Sequence, residues 1–227
     1  MSVVLAFVVP LIAAALWWLF RQGVMTKPWL ENEVLAAVPV RSTERVGLGI
    51  FLVVVACLFA LFASAFVMRM DVETWRTLRL PLVVWANTVQ LAFASLFLHL
   101  AAASARRGDR RGLRRDTTLA ALATVGFLVG QLLAWRALTM NGGGLTTSPA
   151  ASFFYLLSGL HGLHILGGLA ALWLVMLQGG AQLSRLKRNT GLCVSYWDFL
   201  LIVWLGLLVL FTGGANRIVD ICRSVLT

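Results

Sequence analysis

The sequence predicts an all-α protein that crosses a membrane several times, and three observations lead to this prediction. Hydrophobic side chains make up 60% of the 227 residues, charged side chains make up 12%, and the formal net charge is +10. Soluble domains average about 45–50% apolar and about 25% charged residues, and disordered chains are less hydrophobic still. The apolar residues also form long runs almost without charge. We therefore expect a polytopic bundle of transmembrane helices.

Six charge-poor windows of 19 to 29 residues predict six spans, because a helix needs about 20 apolar residues to cross a bilayer. The segments between the windows are too short for a separate soluble domain, so we expect a single transmembrane domain over residues 1–227. The windows are 2–20, 46–68, 80–105, 117–135, 150–178 and 195–213.

The first window is predicted to be a retained helix and not a cleaved signal peptide. No basic residue precedes it, and its apolar run is longer than a signal core. No small-residue cleavage site follows the run Trp17-Trp18-Leu19-Phe20.

The distribution of Lys and Arg predicts the orientation of the spans. Odd-numbered loops carry 13 basic residues, against 6 in the even-numbered loops and the tail. Basic loops stay in the cytoplasm, so both termini are expected on the outer, periplasmic side. Six arginines in the third loop are interpreted as a topology anchor that touches anionic head groups, and no nucleic acid is expected as a partner. They are Arg106, Arg107, Arg110, Arg111, Arg114 and Arg115.

The three cysteines give no chemical site. Cys57 falls inside the second window, and Cys193 and Cys222 have no metal-type spacing. They are predicted to be inert, and they do not fix the redox compartment.

His161 and His164 lie in the fifth window, three residues apart and thus on one helix face. Gly162, Gly168 and other small residues nearby would let a neighbouring backbone approach closely. Haem ligation would need histidines on facing helices, and His99 lies near the cytoplasmic end of its own span. A metal site would need carboxylate or thiolate neighbours. Neutral imidazoles bonded to neighbouring helices or to lipid phosphate are favoured over both.

For the other polar residues within the spans, structural roles are favoured over chemical ones. Asp198 opens the sixth window, where the helix dipole would stabilise a carboxylate, with proton transfer as the alternative role for it and for His99. Trp197, beside Tyr196, is interpreted as a membrane-interface anchor. Asn87 and Thr88 are expected to bond across helices.

No catalytic constellation is evident in the sequence, since it has no acid pair, phosphate loop or nucleophile beside a base. Such a chain is expected to support a larger complex. A membrane cytochrome that uses His161 or His164 and a small transporter are the alternatives, although the repeats and broken helices typical of transporters are not apparent.

The run from Ser152 to Gly168, with Gly-Leu-His-Gly-Leu-His at its centre, resembles a motif of cytochrome c oxidase subunit III. Other matches occur in the family's order, and the resemblance covers residues 45–213. These matches are Leu80-Pro81, Asn87-Thr88, Gly108-Asp109-Arg110, Gln131, Tyr196-Trp197 and Trp204.

The resemblance implies a non-catalytic accessory subunit in the bacterial inner membrane that supports aerobic electron transport. Subunit III contains neither haem nor copper, which are expected in partner subunits. It packs beside catalytic subunit I, holds phospholipid in a helix cleft and helps to sustain proton uptake. His161 and His164 would lie on its lipid-facing or cleft-facing helix. The electron donor, cytochrome c or quinol, and the alternative of a nitric oxide reductase complex stay open.

The sequence departs from the family where the family carries ionisable side chains. Val55 and Ala134 stand at positions where a glutamate is usual. We therefore expect the fold and the partner to be retained but the proton-carrying role to be lost. The other departures are Asp198 for a histidine, Leu201 for an aspartate, and Ala102 and Ala103 for paired histidines, with His99 one turn earlier. The window 2–20 lies outside the usual five-helix core.

Overall fold

A computed structural model describes residues 41–69, 80–142, 144, 147–177 and 183–212. Each of the five helices in these ranges is long and apolar enough to cross a membrane. The all-helical, multi-pass prediction is therefore confirmed, while the predicted span 2–20 lies outside the described residues. The helices are α1 (Arg41–Arg69), α2 (Val83–Arg107), α3 (Arg110–Met140), α4 (Pro149–Leu177) and α5 (Leu183–Phe211).

The chain divides into two compact units. One comprises residues 1–64 and 218–227, and the other comprises residues 65–217. The first unit includes most of α1. The second unit includes the last residues of α1 and all of α2 to α5, and it holds the polar side chains on which the candidate sites depend.

A tight hairpin joins α2 to α3 and explains the Gly-Asp-Arg motif. Gly108 ends α2 with a φ of 79°, in the left-handed region that favours glycine. Asp109 caps α3, because its Oδ1 accepts hydrogen bonds of 3.0 Å from the backbone N–H groups of Arg111 and Gly112. Residues 106–115 form this hairpin, and the end of the second unit at which they lie is called the arginine end.

Local chemistry also fixes the start of α4. Pro149 is the first helical residue, where a fixed φ and a missing N–H are tolerated. Ser148 precedes it, and the Ser148 hydroxyl oxygen accepts a 3.2 Å hydrogen bond from the Ala151 N–H. The helix therefore begins at Pro149 and brings its histidines into the middle of the bundle.

α5 begins twelve residues before the predicted window, at Leu183 instead of residue 195. The charge-poor window left out the stretch that contains Arg185, Lys187 and Arg188. A helix nevertheless continues through such residues at a membrane surface, where long basic side chains extend towards water. Every polar residue of α5 from Ser195 onwards therefore lies twelve residues further from the helix start than predicted.

Aromatic side chains fill the centre of the second unit. The Phe127 ring of α3 lies 5.0 Å from the Trp204 ring of α5 and 5.7 Å from the His161 ring of α4. These edge-on contacts are a favourable geometry for aromatic rings. Nearer the arginine end, Leu98, Leu172 and Trp197 form a second buried cluster, so one core joins α2, α3, α4 and α5.

Candidate functional site

A polar cluster joins α2, about two to three turns before its end at Arg107, to the middle of α5. The Ser95 hydroxyl donates a 2.6 Å hydrogen bond to Asp198 Oδ1. His99 Nε2 lies 3.1 Å from Asp198 Oδ1 and 3.0 Å from Oδ2, so the imidazole N–H points between the two carboxylate oxygens. The side chains of His99 and Asp198 are 52% and 39% exposed. An ionisable pair is therefore presented on the outer surface of the bundle.

The position of Asp198 corrects the prediction for this residue. It lies fifteen residues after Leu183 and thirteen before Phe211, in the interior of α5. The helix dipole acts within the first turn. The prediction that the dipole stabilises Asp198 at a helix start is therefore wrong. Two side chains of α2, Ser95 and His99, hold the carboxylate instead. The sequence analysis did not predict the contact between His99 and Asp198, because nothing in a linear sequence indicates that α2 packs against α5.

Trp197 is fully buried, which contradicts its prediction as a membrane-interface anchor. Its ring packs in the cluster with Leu98 and Leu172. Gly168 of α4 makes room for it, since a Cβ at that glycine would lie 2.9 Å from Trp197 Cζ3 and 2.6 Å from Tyr196 Cε1. The neighbouring Tyr196 hydroxyl donates a 2.7 Å hydrogen bond to the His164 carbonyl oxygen.

The two histidines of α4 have different surroundings. His161 is completely buried, and its Nε2 lies 3.0 Å from the Leu200 carbonyl oxygen of α5. His164 is partly buried, and its Nδ1 lies 2.8 Å from the Leu160 carbonyl oxygen of its own helix. Among the described residues, no three His, Cys, Asp or Glu side chains come close enough to hold a metal ion.

Asn87 and Thr88 of α2 contact two different helices. Asn87 Nδ2 donates a 3.3 Å hydrogen bond to Gln131 Oε1 of α3. The Trp204 indole N–H of α5 donates a 3.0 Å hydrogen bond to the Thr88 hydroxyl oxygen. The Thr88 hydroxyl in turn donates to the Val84 carbonyl oxygen at 2.9 Å. These bonds connect α2 to α3 and to α5 within the bundle.

A buried carboxylate that the sequence analysis missed lies directly after the hairpin at the arginine end. Asp116 is 3% exposed and accepts hydrogen bonds from the Ser104 hydroxyl at 3.1 Å and from Arg115 Nε at 3.0 Å. Arg107 also donates to the Ser104 hydroxyl, at 3.3 Å. The available signal was an acid directly after two arginines at the edge of a span. Two of the predicted anchor residues, Arg107 and Arg115, thus take part in joining α2 to α3.

A cavity of about 630 Å³ lies at the arginine end, where the start of α3 faces the end of α4. Arg110, Arg111 and Arg114 line it from α3, and Trp173 and Leu177 are among the apolar side chains that line it from α4. This cavity is called the basic pocket below. It combines positive charge with an apolar wall, as a site for an amphiphilic anion would.

Known proteins resemble the chain over much of its length, although no protein-family model matches it. A cytochrome c oxidase subunit 3 of Synechocystis is 32% identical over 173 residues, 72% of this chain and 72% of the relative. A protein of the same name from Thermostichus vulcanus is 30% identical over 176 residues, 73% of this chain and 83% of the relative.

A probable cytochrome c oxidase subunit 3 of Mycobacterium tuberculosis is 35% identical over 122 residues, 53% of this chain. The match spans 60% of the length of that mycobacterial relative. The resemblance inferred from the histidine motif is confirmed by these similarities. The chain belongs to the cytochrome c oxidase subunit 3 family, as a divergent, multi-pass member.

Proposed function

We propose that the chain is a non-catalytic accessory subunit of a respiratory haem-copper oxidase in a bacterial inner membrane, where it packs beside catalytic subunit I. The similarity to proteins named subunit 3 at 30–35% identity carries this proposal. The bundle supports it, since buried polar side chains such as Asn87, Gln131 and His161 bond to other helices of the same chain. Such bonds hold the helices of the chain to one another, as expected of a structural subunit.

The positions at which the family is expected to carry glutamates also favour a structural role. Val55 is 3% exposed and Ala134 is fully buried. An apolar side chain at each place can neither bind nor release a proton. The proposed contribution to the complex is therefore support of the catalytic subunit without a proton-carrying role for these two positions.

The proposed topology is a single domain of six spans, with both termini on the periplasmic side. The basic residues support it, because the arginine end carries six arginines within residues 106–115, and such a loop stays in the cytoplasm. The predicted span 2–20 would precede α1 in the sequence and bring the number of spans to six.

Phospholipid is the proposed ligand of the chain, and the basic pocket is the place that favours it. Basic pockets between transmembrane helices on the cytoplasmic side suit anionic head groups. Arg111 and Arg114 would contact the phosphate, and an acyl chain would lie along Trp173 and Leu177. The buried ring of His161 is less suited to this role than the sequence indicates, since its Nε2 already faces a carbonyl oxygen.

Ligation of haem by His161 is disfavoured by the surroundings of its ring. Its ring lies between Phe127 and Trp204, with centroids 5.7 Å and 5.2 Å away. A macrocycle would have to displace both rings.

Purification of the tagged chain from native membranes tests the proposed function. We expect a haem-copper catalytic subunit in stoichiometric amount and a haem spectrum that belongs to the complex. After the subunits are separated, we expect no haem absorbance from this chain. A stoichiometric haem b spectrum from the isolated chain would overturn the proposal and favour the membrane cytochrome.

A further inference from the structure

The His99–Asp198 pair lies at a depth where lipid cannot solvate it. His99 precedes Arg107 by eight residues, and Asp198 follows Arg188, the last charged residue before it, by ten. At about 1.5 Å per residue these separations correspond to about 12 Å and 15 Å, inside a hydrocarbon core of about 30 Å. Ionisable side chains at such depth face protein or a water-filled cavity. The face that carries the pair is therefore not a lipid-facing surface.

Small side chains surround the pair on the same face. On α2, Ala92 lies seven residues before His99, and on α5, Gly191 and Ser195 lie seven and three residues before Asp198, so helical periodicity places them alongside. Ala92, Gly191 and Ser195 are exposed. A Cβ added at Gly191 would meet nothing within 4 Å. Spaced small residues of this kind allow another helix to approach closely.

Asp198 also retains hydrogen-bonding capacity. A carboxylate offers about four lone-pair positions for hydrogen bonds. Ser95 and His99 of α2 occupy some of them at Asp198. The exposed part of the carboxylate faces away from the bundle. A donor that approaches from outside would complete the coordination of the carboxylate and remove the cost of leaving it in hydrocarbon.

The predicted first span and α1 do not offer a strong donor near their middle. The predicted first span, 2–20, carries donors only near its ends, at Ser2, Trp17 and Trp18. Residues 46–63 of α1 contain Cys57, a weak donor, and otherwise no side chain that can hydrogen-bond. The donor must therefore come from another chain.

We infer that the face of α2 and α5 around His99 and Asp198 is the docking surface for a transmembrane helix of a different subunit. That helix carries a hydroxyl, amide or basic side chain near its middle, which donates to Asp198. This inference rests on the proposed accessory role and adds to it the surface and the chemistry of the partner.

Photocrosslinking in the intact complex tests this inference. A benzophenone amino acid replaces Gly191, and a matched control replaces Gly167 of α4, which is also exposed with nothing within 4 Å of an added Cβ. We expect position 191 to react with a transmembrane peptide of another subunit whose span contains a polar donor, and position 167 not to react with that peptide. Adducts of position 191 with phospholipid alone, with a second copy of this chain, with residues 1–40, or with a span without a donor would overturn the inference.

Substitution gives a second measurement. Replacing His99 and Asp198 together by leucine should reduce partner retention after detergent extraction at least fivefold. If the face instead contacts lipid, the same variant leaves retention unchanged and raises the thermal stability of the chain, because a costly polar pair has been removed. Should this variant fail to accumulate, Gly191→Leu against Gly167→Leu makes the same comparison, with loss of the partner expected for Gly191→Leu.

The two proposals fail separately. If the chain copurifies with a haem-copper oxidase but position 191 crosslinks lipid alone, the accessory role stands and the docking surface does not. If no haem-copper subunit copurifies but position 191 crosslinks a polar span of another membrane protein, the docking surface stands and the oxidase role does not.

Discussion

The Trp204 indole N–H of α5 donates a 3.0 Å hydrogen bond to the Thr88 hydroxyl of α2. The same ring contacts Phe127 at 5.0 Å and His161 at 5.2 Å. One side chain thus connects four helices. Its position suggests that the subunit 3 bundle is held by a few polar contacts set among aromatic rings, since helices in lipid gain little from hydrophobic burial against each other.

Trp204→Phe should destabilise the second unit by about 0.6–1.7 kcal/mol. The variant keeps an aromatic ring but removes the donor to Thr88, and a hydrogen bond in a membrane bundle contributes up to about 1.7 kcal/mol. The midpoint of thermal unfolding in detergent measures this effect. Trp173→Phe is the control, because that side chain is 61% exposed. An equal midpoint for both variants would show that the Thr88 contact contributes nothing.

Gly168→Ala should be more damaging than Gly167→Ala, although the two glycines are adjacent. A Cβ at Gly168 would lie 2.6 Å from Tyr196 Cε1, whereas one at Gly167 meets nothing within 4 Å. Overpacking of a core costs about 1–3 kcal/mol. Unfolding of the two variants, measured side by side, tests the close approach of α4 to α5. Gly167→Ala should match the parent protein or exceed it slightly, because alanine has the higher helix propensity.

His161→Leu should destabilise the bundle more than His164→Leu. His161 is buried and bridges to the Leu200 carbonyl oxygen of α5, while His164 bonds to the Leu160 carbonyl oxygen within its own helix. Leucine at position 161 loses this hydrogen bond, which contributes about 0.5–1.5 kcal/mol net, and the ring contacts with Phe127 and Trp204. We expect the difference in thermal unfolding, and equal losses for the two variants would contradict separate roles. His161→Gln, which keeps a donor, should recover part of the stability.

The sequence predicts the helices and their polar residues well but not which helices meet. Apolar windows and the Gly-Asp-Arg turn locate α2 and α3 because span length and capping are local properties. The pairing of Ser95 and His99 with Asp198 depends on tertiary packing of α2 against α5, which leaves no local pattern. The errors at Asp198 and Trp197 share one cause, since the charge-based window placed the start of α5 too late. Asp116 was missed because the six arginines that precede it dominated the interpretation of the loop.

The double substitution of Arg111 and Arg114 by glutamine should reduce the anionic phospholipid that copurifies with the chain. Both side chains line the basic pocket, and each basic residue near an anionic surface contributes about 1 kcal/mol to attraction. Lipid mass spectrometry of the purified complex should therefore show at least a fivefold loss of anionic lipid relative to zwitterionic lipid. Arg136→Gln is the matched control, since Arg136 is exposed near the end of α3 opposite to the pocket.

A free anion could occupy the same pocket, so the lipid needs its own comparison. Inorganic phosphate added in excess should not displace the bound lipid, because phosphate has no acyl chain to contact the apolar wall at Trp173 and Leu177. Trp173→Ala should then weaken lipid retention without changing the charge of the pocket. If Trp173→Ala has no effect while the arginine substitutions do, the pocket recognises phosphate groups alone and the acyl-chain contact is wrong. If neither set of variants changes the lipid content, the pocket is not where this subunit holds phospholipid.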